Sequence, residues 1–472
     1  MKHVETDVVV IGAGTAGLAA YRAAIQAGKR AVVIESGPHG TTCARVGCMP
    51  SKLLIAAAEA AHATHKWDEL GIRIEGRIAV DGKAVMARVQ RERDRFVGFV
   101  LKSVEAIPAD QLIHGRARFI DDRTLQIDAH TTIVFSRAVI ATGSSPAIPA
   151  MLRAAEDRLV VNDHVFDWDD LPASAAVFGP GVIGLELGQA LHRLGVRVRV
   201  FGRGSGIGPL SDPAVREYAT RAFQDEFPLD TDARVHAIQR DANGVSVRYT
   251  GRSGETATES FEYVVAATGR KPNVRDLGLD QTSLALDAQG IPLYDRTTMQ
   301  CGASAIFIAG DVNNDVPLLH EAADEGAIAG RNAATFPDVR AALRRTPLAV
   351  VFSDPQIATV GARSADLVPG RYVTGVVSFE DQGRSRVMLR NRGLLHVYAD
   401  KHTGRLLGAE MIGPDAEHLG HLLAWAIQGN LTVSDALERP FYHPVVEEGL
   451  RTALRDAAAK LASAAHAAQR AA

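Results

Sequence analysis

A glycine-rich turn that occurs twice constrains this chain more than any other feature. The first copy, Gly12-x-Gly14-x-x-Gly17, follows the β-branched run DVVVI and precedes an alanine-rich stretch of helical character. A second β-branched run then ends in Glu35, 18 residues after Gly17. Glycines there let the backbone approach a pyrophosphate, the helix start offers N–H groups, and the carboxylate can accept hydrogen bonds from ribose. The unit therefore predicts a dinucleotide-binding β-α-β fold.

The second copy has the same order but lacks the acid. Gly179-x-Gly181-x-x-Gly184 follows the run SAAVF and precedes the helical stretch LELGQALHRLG, which leads to the strand-like run VRVRVF. Gly202 and Arg203 stand where a carboxylate is expected. Two dinucleotide sites in one chain imply two dinucleotides. A flavin together with a nicotinamide is an obvious pair, because electrons can pass between them.

Three further strand-like runs end in glycine turns: AVIATGSSP, VVAATGRKPN and AIFIAGD. The last one ends in Asp311, which can bind the ribityl or phosphate region of a flavin or can cap a helix. From about residue 346, strand-like runs precede helical stretches at about 415–428 and 445–465, and an alanine-rich helix is predicted at 456–472. Strands followed by helices predict a separate α+β domain.

Composition excludes several classes of partner. The net charge of −3 provides no basic surface for nucleic acid or for membrane headgroups. No run of about 18 apolar residues is present to span a bilayer, and the first strand leads into the glycine turn rather than into a signal-peptide pattern. Three cysteines in 472 residues fit a reducing cytosol. We therefore expect a cytoplasmic protein without nucleic-acid or membrane partners.

Two of the cysteines, Cys43 and Cys48, lie in the stretch GTTCARVGCMPSK. Residues five apart on a regular helix have Cα atoms about 8–9 Å apart, whereas a disulfide needs about 4.4–6.8 Å. The pair can therefore be bridged if Cys43 sits in a distorted turn before the helix, where Gly47 gives backbone freedom and Pro50 favours the first helical turn. A thiol at a helix start is reactive because its pKa is lowered. We interpret the pair as redox-active, with a metal site or coincidence as alternatives.

A dithiol needs a base, and the segment PFYHPVVEEGL supplies a candidate. The candidate is His443, because histidine is the residue type best suited to exchange a proton with a thiol near neutral pH. Glu448, or else Glu447, can orient its ring. Because the chain has 16 histidines, the residues alone favour a surface histidine beside a proline turn.

Together these segments resemble the class I pyridine nucleotide-disulfide oxidoreductases, FAD flavoproteins that include dihydrolipoamide dehydrogenase, glutathione reductase and mercuric reductase. The resemblance covers nearly the whole chain, in the family's order. The first glycine turn is similar to the FAD site, TCARVGCMPSK to the redox-active disulfide, and VFSDPQIATVG (351–361) to the start of the dimerisation domain. HPVVEE is similar to the catalytic His-Pro-x-x-x-Glu, which selects Glu448 as the partner of His443.

The resemblance also implies a role for each catalytic residue. Cys43, expected to be the more exposed sulfur, forms the mixed disulfide with the substrate, and Cys48 lies nearer the flavin. His443 is expected from the partner subunit of an obligate homodimer, where it exchanges the substrate proton while Glu448 holds its ring.

The cofactors implied are FAD and NAD, with NADP possible. Lys52 is expected near the flavin N5, with Glu186 as its ion-pair partner. The residues implied at the flavin are Gly12, Gly14, Gly17, Glu35, Thr42, Lys52, Ala117, Thr142, Gly143, Ser144, Asp311, Leu318 and Leu319, and those implied at the nicotinamide site are Gly179, Gly181, Gly184, Glu186, Arg203, Gly269 and Arg270.

Within the family the chain is most similar to dihydrolipoamide dehydrogenases. Pro-Ser-Lys after Cys48 fits these enzymes and mercuric reductases, whereas glutathione reductases usually carry two lysines there. No cysteine follows Cys301, which argues against mercuric reductase with its extra C-terminal pair. The expected substrate is a small dithiol or disulfide, or a lipoyl domain. An NADPH-dependent disulfide reductase, and a flavin-containing redox sensor or transhydrogenase, are the alternatives.

Three departures from the family pattern stand out. His-Gly-Thr-Thr before Cys43 replaces Gly-Gly-Thr and is one residue shorter. Ala44-Arg45 replaces a small pair, so Arg45 adds a cation that can lower a thiol pKa or alter substrate choice. Gly202-Arg203 replaces the acid of NAD-specific enzymes, and an arginine there can pair with the 2′-phosphate of NADP.

The predicted fold class is α/β, with two Rossmann-like dinucleotide-binding domains and a C-terminal α+β dimerisation domain. The predicted domains are an FAD-binding domain (1–150), an NAD(P)-binding domain (151–275), a central segment that returns to the FAD domain (276–345) and an interface domain (346–472).

Overall fold

The computed structural model describes residues 2–471, and the side chains of residues 2–466. Its strands, in chain order, are β1 (Lys2–Ile11), β2 (Ala31–Glu35), β3 (Leu112–His114), β4 (Ala117–Asp121), β5 (Thr124–Ile127), β6 (Thr131–Ile140), β7 (Ser144–Pro146), β8 (Leu159–Val161), β9 (Ser174–Phe178), β10 (Arg197–Phe201), β11 (Leu229–Asp230), β12 (Arg234–Asp241), β13 (Gly244–Thr250), β14 (Thr256–Phe261), β15 (Tyr263–Ala266), β16 (Arg270–Pro272), β17 (Ile306–Ile308), β18 (Leu348–Val351), β19 (Gln356–Gly361), β20 (Tyr372–Ser378), β21 (Leu394–Asp400) and β22 (Leu406–Gly413).

The α-helices are α1 (Thr15–Gln26), α2 (Thr42–Val46), α3 (Cys48–Ala63), α4 (Gly82–Glu105), α5 (Asn162–Val165), α6 (Val182–Arg193), α7 (Pro213–Gln224), α8 (Leu319–Thr335), α9 (Gly383–Val387), α10 (Ala416–Gln428), α11 (Val433–Leu437) and α12 (Glu447–Ala471). None of the described helices is long and apolar enough to cross a bilayer.

The first compact unit comprises the residues up to Pro50, Arg88–Ala147 and Gly269–Arg344. Its main sheet has the order β3-β2-β1-β6-β5-β4, with β17 beside β6. Strands β1, β2, β3, β6 and β17 run parallel, whereas β4, β5 and β6 form an antiparallel meander. Alternate residues of β1 pack against the two faces of this sheet, which explains why the strand reads as a continuous β-branched run.

Helix α1, which follows the first glycine turn, is held against the sheet by α8. Glycines of α8 permit contact at backbone distance, because a Cβ at Gly326 would lie 2.1 Å from the Ala16 carbonyl oxygen and one at Gly330 would lie 2.3 Å from that of Ala20. No side chain fits between the two helices at these points. The orientation of α1 is thus fixed by main-chain contact.

The second compact unit comprises Ser51–Ala87, Ile148–Thr268 and the residues from Arg345 onward. It contains a parallel sheet of order β11-β10-β9-β15-β8, an antiparallel meander of order β12-β13-β14, and an antiparallel sheet of order β18-β19-β22-β21-β20. Helices α10 and α12 pack on the last sheet around Leu419, Leu423 and Leu454. The predicted order of strands and then helices after residue 346 is present.

The prediction from the sequence missed one group of strands and gave one helix different bounds. The meander β12-β13-β14 was missed because β12 exposes most of its side chains and has no apolar run. The predicted helix at 445–465 begins at Glu447 and continues through Ala471. The last residue of the predicted alanine-rich tail, and its side chains from residue 467, lie outside the described residues.

We predict that Gly326→Ala destabilises the protein by about 1–3 kcal/mol, because the added methyl group meets the Ala16 carbonyl and must push α8 from α1. Gly98→Ala in α4 is the matched control: a Cβ there meets nothing within 4 Å. Helix propensity alone should then stabilise the control by roughly 0.5–1 kcal/mol. Urea unfolding measures both values, and equal stability of the two variants would contradict the packing described.

Candidate active site

The first glycine turn has the shape that a dinucleotide phosphate requires. Gly12 has φ = +108°, and a Cβ there would lie 2.3 Å from the carbonyl oxygen of Ala141. A Cβ at Gly17 would lie 1.8 Å from the carbonyl oxygen of Gly12, so α1 touches the turn. Gly14, the N-cap of α1, faces open space instead. Two of the glycines therefore close the turn, and the third leaves the helix start open to an anion.

The second turn repeats this geometry around α6. A Cβ at Gly179 would lie 2.3 Å from the carbonyl oxygen of Ala267, and one at Gly184 would lie 1.8 Å from that of Gly179. Gly181 is the N-cap of the helix and again meets nothing within 4 Å. Both copies of the motif thus form the turn predicted from the sequence.

Glu35 ends β2 and holds the first turn in place. One carboxylate oxygen accepts a hydrogen bond of 2.8 Å from the backbone N–H of Ala13, and the other accepts one of 2.8 Å from Gly37. Each oxygen keeps a further lone pair for a ribose hydroxyl. The carboxylate therefore orients both the glycine turn and the loop that leads to the cysteines.

The corresponding position after β10 is closed to any side chain. A Cβ at Gly202 would lie 2.5 Å from the Thr231 carbonyl oxygen and 2.8 Å from Cγ of Pro180. The backbone and Pro180 therefore leave no room at residue 202 for the acidic side chain expected after this strand. Arg203 follows as an exposed residue without an ion-pair partner among the side chains that the structure describes. Asp232 approaches the same loop, where its Oδ1 accepts a hydrogen bond of 2.8 Å from Gly204 N–H.

The structure brings three predicted cofactor residues of the first unit together. Ser144 Oγ donates to Asp311 Oδ2 at 2.7 Å and accepts from Arg270 Nε at 2.8 Å. Arg270 also donates to the Ser144 carbonyl at 2.7 Å. These contacts join β7 to β16, which pair as a two-stranded ribbon. All three of these predicted glycine turns therefore meet, and the guanidinium of Arg270 hydrogen-bonds to Ser144.

Asp311 is positioned by a residue that sequence reasoning missed. Glu325 of α8 is 1% exposed, and its Oε2 accepts hydrogen bonds from the Gly310 N–H at 2.8 Å and from Asn313 Nδ2 at 2.7 Å. Its Oε1 accepts from Arg344 Nη2 at 2.9 Å. A buried carboxylate with these partners fixes the turn that carries Asp311.

The two cysteines lie on consecutive helices with a break between them. Cys43 belongs to α2 and Cys48 begins α3, while Gly47 between them has φ = −126° and ψ = −115°. A Cβ at Gly47 would lie only 3.3 Å from the Cα of Cys43, so the chain folds back at this residue. The departure from a regular helix that a disulfide needs is therefore present.

The expected order of exposure of the two cysteines is wrong in the protein without cofactor. Cys48 is exposed, whereas Cys43, expected to be the more exposed of the two, is half-buried. The reason is that Cys43 lies within α2 beside the buried residues Ala44 and Val46, while Cys48 begins α3 on a face that the protein leaves uncovered. An uncovered face at this cysteine is compatible with a flavin ring packed on it.

The predicted ion pair between Lys52 and Glu186 is present. Lys52 Nζ lies 2.8 and 2.9 Å from the two carboxylate oxygens of Glu186, which is 4% exposed. Glu186 also accepts a hydrogen bond of 3.0 Å from the backbone N–H of Phe352, and the Phe352 ring centroid lies 4.6 Å from Lys52 Nζ. Phe352 lies in the quoted motif VFSDPQIATVG but was given no role, because nothing local to the motif indicates a lysine.

His443 and Glu448 also meet as predicted. His443 Nδ1 lies 3.0 and 3.2 Å from the carboxylate oxygens of Glu448, and the imidazole side chain is 80% exposed. The hydrogen bond with His443 lowers the pKa of the Glu448 carboxyl below its ordinary value. An ionised Glu448 holds Nδ1, so that Nε2 is available to a substrate proton.

The remaining predicted residues lie at the ends of elements. Thr42 begins α2, Ala117 begins β4, and Leu318 and Leu319 stand at the start of α8. The predicted glycines at the two-stranded ribbon accept backbone hydrogen bonds across it: Gly143 accepts from Asn273 at 2.9 Å and Gly269 accepts from Ala147 at 2.8 Å. Cys301 is buried, and burial raises its pKa to about 12, so its thiol is unreactive.

Comparison with protein families decides the class of the chain. The family model of the pyridine nucleotide-disulphide oxidoreductases matches residues 6–326, and the model of their dimerisation domain matches residues 348–454. The chain belongs to this family. It is a class I pyridine nucleotide-disulfide oxidoreductase, and members of the family depend on FAD and NAD(P). The fold is consistent with two dinucleotide-binding domains and a C-terminal domain.

Curated relatives divide between two activities. The chain is 32% identical to a mercuric reductase of Shigella flexneri, over 94% of this chain and 80% of the relative. It is 30% identical to a dihydrolipoyl dehydrogenase of Geobacillus stearothermophilus, over 94% of each chain. Sequence identity alone does not separate the two activities.

Solved structures agree with the fold. LpdA from Mycobacterium tuberculosis superimposes with a TM-score of 0.81 at 24% identity, over 96% of this chain and 99% of that one. The flavoprotein disulfide reductase RclA from Escherichia coli, solved as a Cu(II) complex, superimposes with a TM-score of 0.80 at 22% identity, with the same coverage. Both likenesses support the fold that the family models indicate.

We predict that Glu448→Gln lowers kcat roughly 10²-fold, because an amide cannot stabilise a protonated His443. Glu447→Gln is the control, since Glu447 is the adjacent carboxylate and makes no contact with His443 in the described structure. Steady-state kinetics with a dithiol substrate measure both variants. A Glu448→Gln enzyme as active as the control would show that the His443–Glu448 contact does not serve catalysis.

Proposed function

We propose that the chain is a FAD-dependent dithiol–disulfide oxidoreductase, and specifically a dihydrolipoyl dehydrogenase that oxidises dihydrolipoamide with NAD⁺. The observation that carries the proposal is the fold-back of the chain at Gly47. It places Cys43 in α2 and Cys48 at the start of α3, with only Gly47 between the two helices. The presence of the oriented base His443 in the same chain supports dithiol turnover.

The residues present fit FAD. The open helix start at Gly14 suits the pyrophosphate of FAD, and Glu35 suits the ribose of its adenosine. Asp311 suits the ribityl chain. It accepts a hydrogen bond from Ser144, and Glu325 binds the turn on which it lies. When bound, FAD supplies a two-electron carrier between a dithiol and a nicotinamide.

The side chains then have these tasks. A substrate thiolate attacks the sulfur of Cys43, the Cys43–Cys48 bond breaks, and Cys48 leaves as a thiolate. The second substrate thiol displaces Cys43 from the mixed disulfide, and His443 accepts the proton of that thiol. Lys52, held by its ion pair with Glu186, keeps a positive charge in a fixed place on the helix that begins at Cys48.

The number and burial of the cysteines in this chain favour an organic dithiol over mercuric ion as the substrate. Hg²⁺ is a soft ion that needs thiolate ligands. The chain has only one cysteine besides the redox pair, and Cys301 is 1% exposed with a pKa raised to about 12. It therefore offers no further accessible thiolate to pass the ion to the pair.

Two observations bear on the nicotinamide. The subfamily resemblance favours NAD, and Asp232 brings a carboxylate to the loop after β10 where a ribose hydroxyl could meet it. The closed position at Gly202 and the exposed cation of Arg203 favour the 2′-phosphate of NADP. We propose NAD as the acceptor and NADP as the second candidate.

We further propose a homodimer in which the partner subunit contributes His443. The dimerisation domain that the family model finds at residues 348–454 contains both His443 and Glu448. Neither a redox sensor nor a transhydrogenase would need this base, so the presence of His443 beside Glu448 disfavours those functions. A cytoplasmic location suits the reduced thiols that this chemistry needs.

The decisive experiment compares substrates and variants. We predict that the purified enzyme reduces NAD⁺ with dihydrolipoamide, and oxidises NADH with lipoamide faster than with glutathione disulfide or Hg²⁺. Cys48→Ser should lower this activity at least about 10³-fold, because the leaving thiolate is lost. Parallel assays with NADPH determine the nicotinamide preference.

Cys301→Ser is the matched control and should retain activity, since its buried thiol takes no part. Turnover that survives Cys48→Ser would refute the disulfide mechanism. Activity confined to glutathione disulfide or Hg²⁺ would keep the family chemistry but overturn the lipoyl substrate.

A further inference from the structure

The ammonium group of Lys52 contacts three different kinds of partner. Two carboxylate oxygens of Glu186 lie at 2.8 and 2.9 Å, and Ser51 Oγ lies at 3.3 Å. The face of the Phe352 ring supplies the third partner, with its centroid 4.6 Å away. A cation at this distance over a ring face is attracted by the ring's quadrupole. The aromatic contact therefore adds to the ion pair.

Phe352 also acts on the carboxylate. Its backbone N–H donates to Glu186 Oε1 at 3.0 Å. Because Glu186 is 4% exposed, its carboxylate oxygens depend on hydrogen-bond partners supplied by the protein. One residue thus contacts both members of the ion pair, the cation through its ring and the anion through its main chain.

The position of Phe352 is fixed by a clamp on one face of α6. Three helix residues at successive turns, Glu186, Gln189 and Arg193, bind the segment that follows β18. Gln189 exchanges two hydrogen bonds of 2.8 Å with the backbone N–H and carbonyl of Asp354, and Arg193 donates to the Asp354 carboxylate at 3.1 Å. Gln189 and the Arg193 side chain are almost fully buried.

We propose that Phe352 is a positioning residue for Lys52, which holds the ammonium group and its carboxylate partner in one arrangement beside the flavin. The inference rests on the proposed function for the role of Lys52 at the flavin, whereas the contacts among Phe352, Lys52 and Glu186 stand without it. A cation held beside an isoalloxazine ring raises the midpoint potential of the bound flavin. Loss of the ring should therefore make flavin reduction less favourable.

The test compares Phe352→Leu with Phe352→Tyr. Leucine keeps apolar bulk and the backbone N–H but removes the π face, whereas tyrosine keeps the face. We expect Phe352→Leu to lower the midpoint potential of the flavin, with a roughly 2- to 30-fold smaller equilibrium constant for reduction against a reference dye. Phe352→Tyr should stay within about twofold of the wild type.

A double-mutant cycle separates positioning from a structural effect. In a Lys52→Met background, Phe352→Leu should no longer shift the potential, because the cation on which the ring acts is gone. A shift of equal size in that background, or a Phe352→Leu protein with the wild-type potential, would overturn the inference.

A second readout does not depend on flavin. The rate at which Lys52 in the purified protein is acylated by an amine-specific reagent, followed by peptide mass spectrometry, should rise several-fold in Phe352→Leu and return in Phe352→Tyr. Equal rates in all three proteins would refute the positioning role. A protein that binds no flavin but shows the predicted acylation pattern would refute the proposed function and leave the contact with Lys52 standing.

Discussion

One buried carboxylate, Glu186, connects the parts of the second unit on which the chemistry depends. It lies two residues after Gly184, so the second glycine turn determines its place on α6. From there it binds Lys52, four residues after Cys48, and the backbone of Phe352 at the end of β18. Helix α3, helix α6 and the segment that follows β18 are thus joined through a single side chain. Because the carboxylate is almost fully buried, its oxygens have to find their hydrogen-bond partners within the protein.

The two glycine turns have the same backbone geometry. Both bring a helix onto a turn at a separation that only glycine allows, and both leave the N-cap glycine open. They differ after the next strand. Glu35 uses its carboxylate to brace the first turn, whereas Gly202 has no room for one because Thr231 and Pro180 close the position. The two turns therefore share their glycine geometry and differ in the residue that follows the next strand.

Sequence reasoning succeeded where the constraint is local. The glycine turns and the break at Gly47 depend on residues a few positions apart, and both are present. His443 and Glu448 are also close in sequence, but the family resemblance was needed to select Glu448 over Glu447. The Lys52–Glu186 pair joins distant segments and was found through family resemblance.

Contacts between distant segments explain what was missed. Nothing near Phe352 in the sequence shows that a lysine 300 residues earlier lies over its ring. Glu325 looks like an ordinary helix acid until Gly310 and Asn313 are placed beside it. The exposure of Cys48 relative to Cys43 depends on which face of α3 the protein covers, and the sequence motif does not indicate that face.

The central claim is that Cys48 delivers electrons to a flavin packed against the start of α3. Anaerobic titration of the purified protein with dihydrolipoamide, followed by visible absorption, tests it most directly. The account predicts a yellow protein that, after uptake of two electrons, develops a charge-transfer band at longer wavelength than the flavin maxima, and a Cys48→Ser variant that does not. A colourless protein, or a flavin that bleaches without any such band in the wild type, would contradict it.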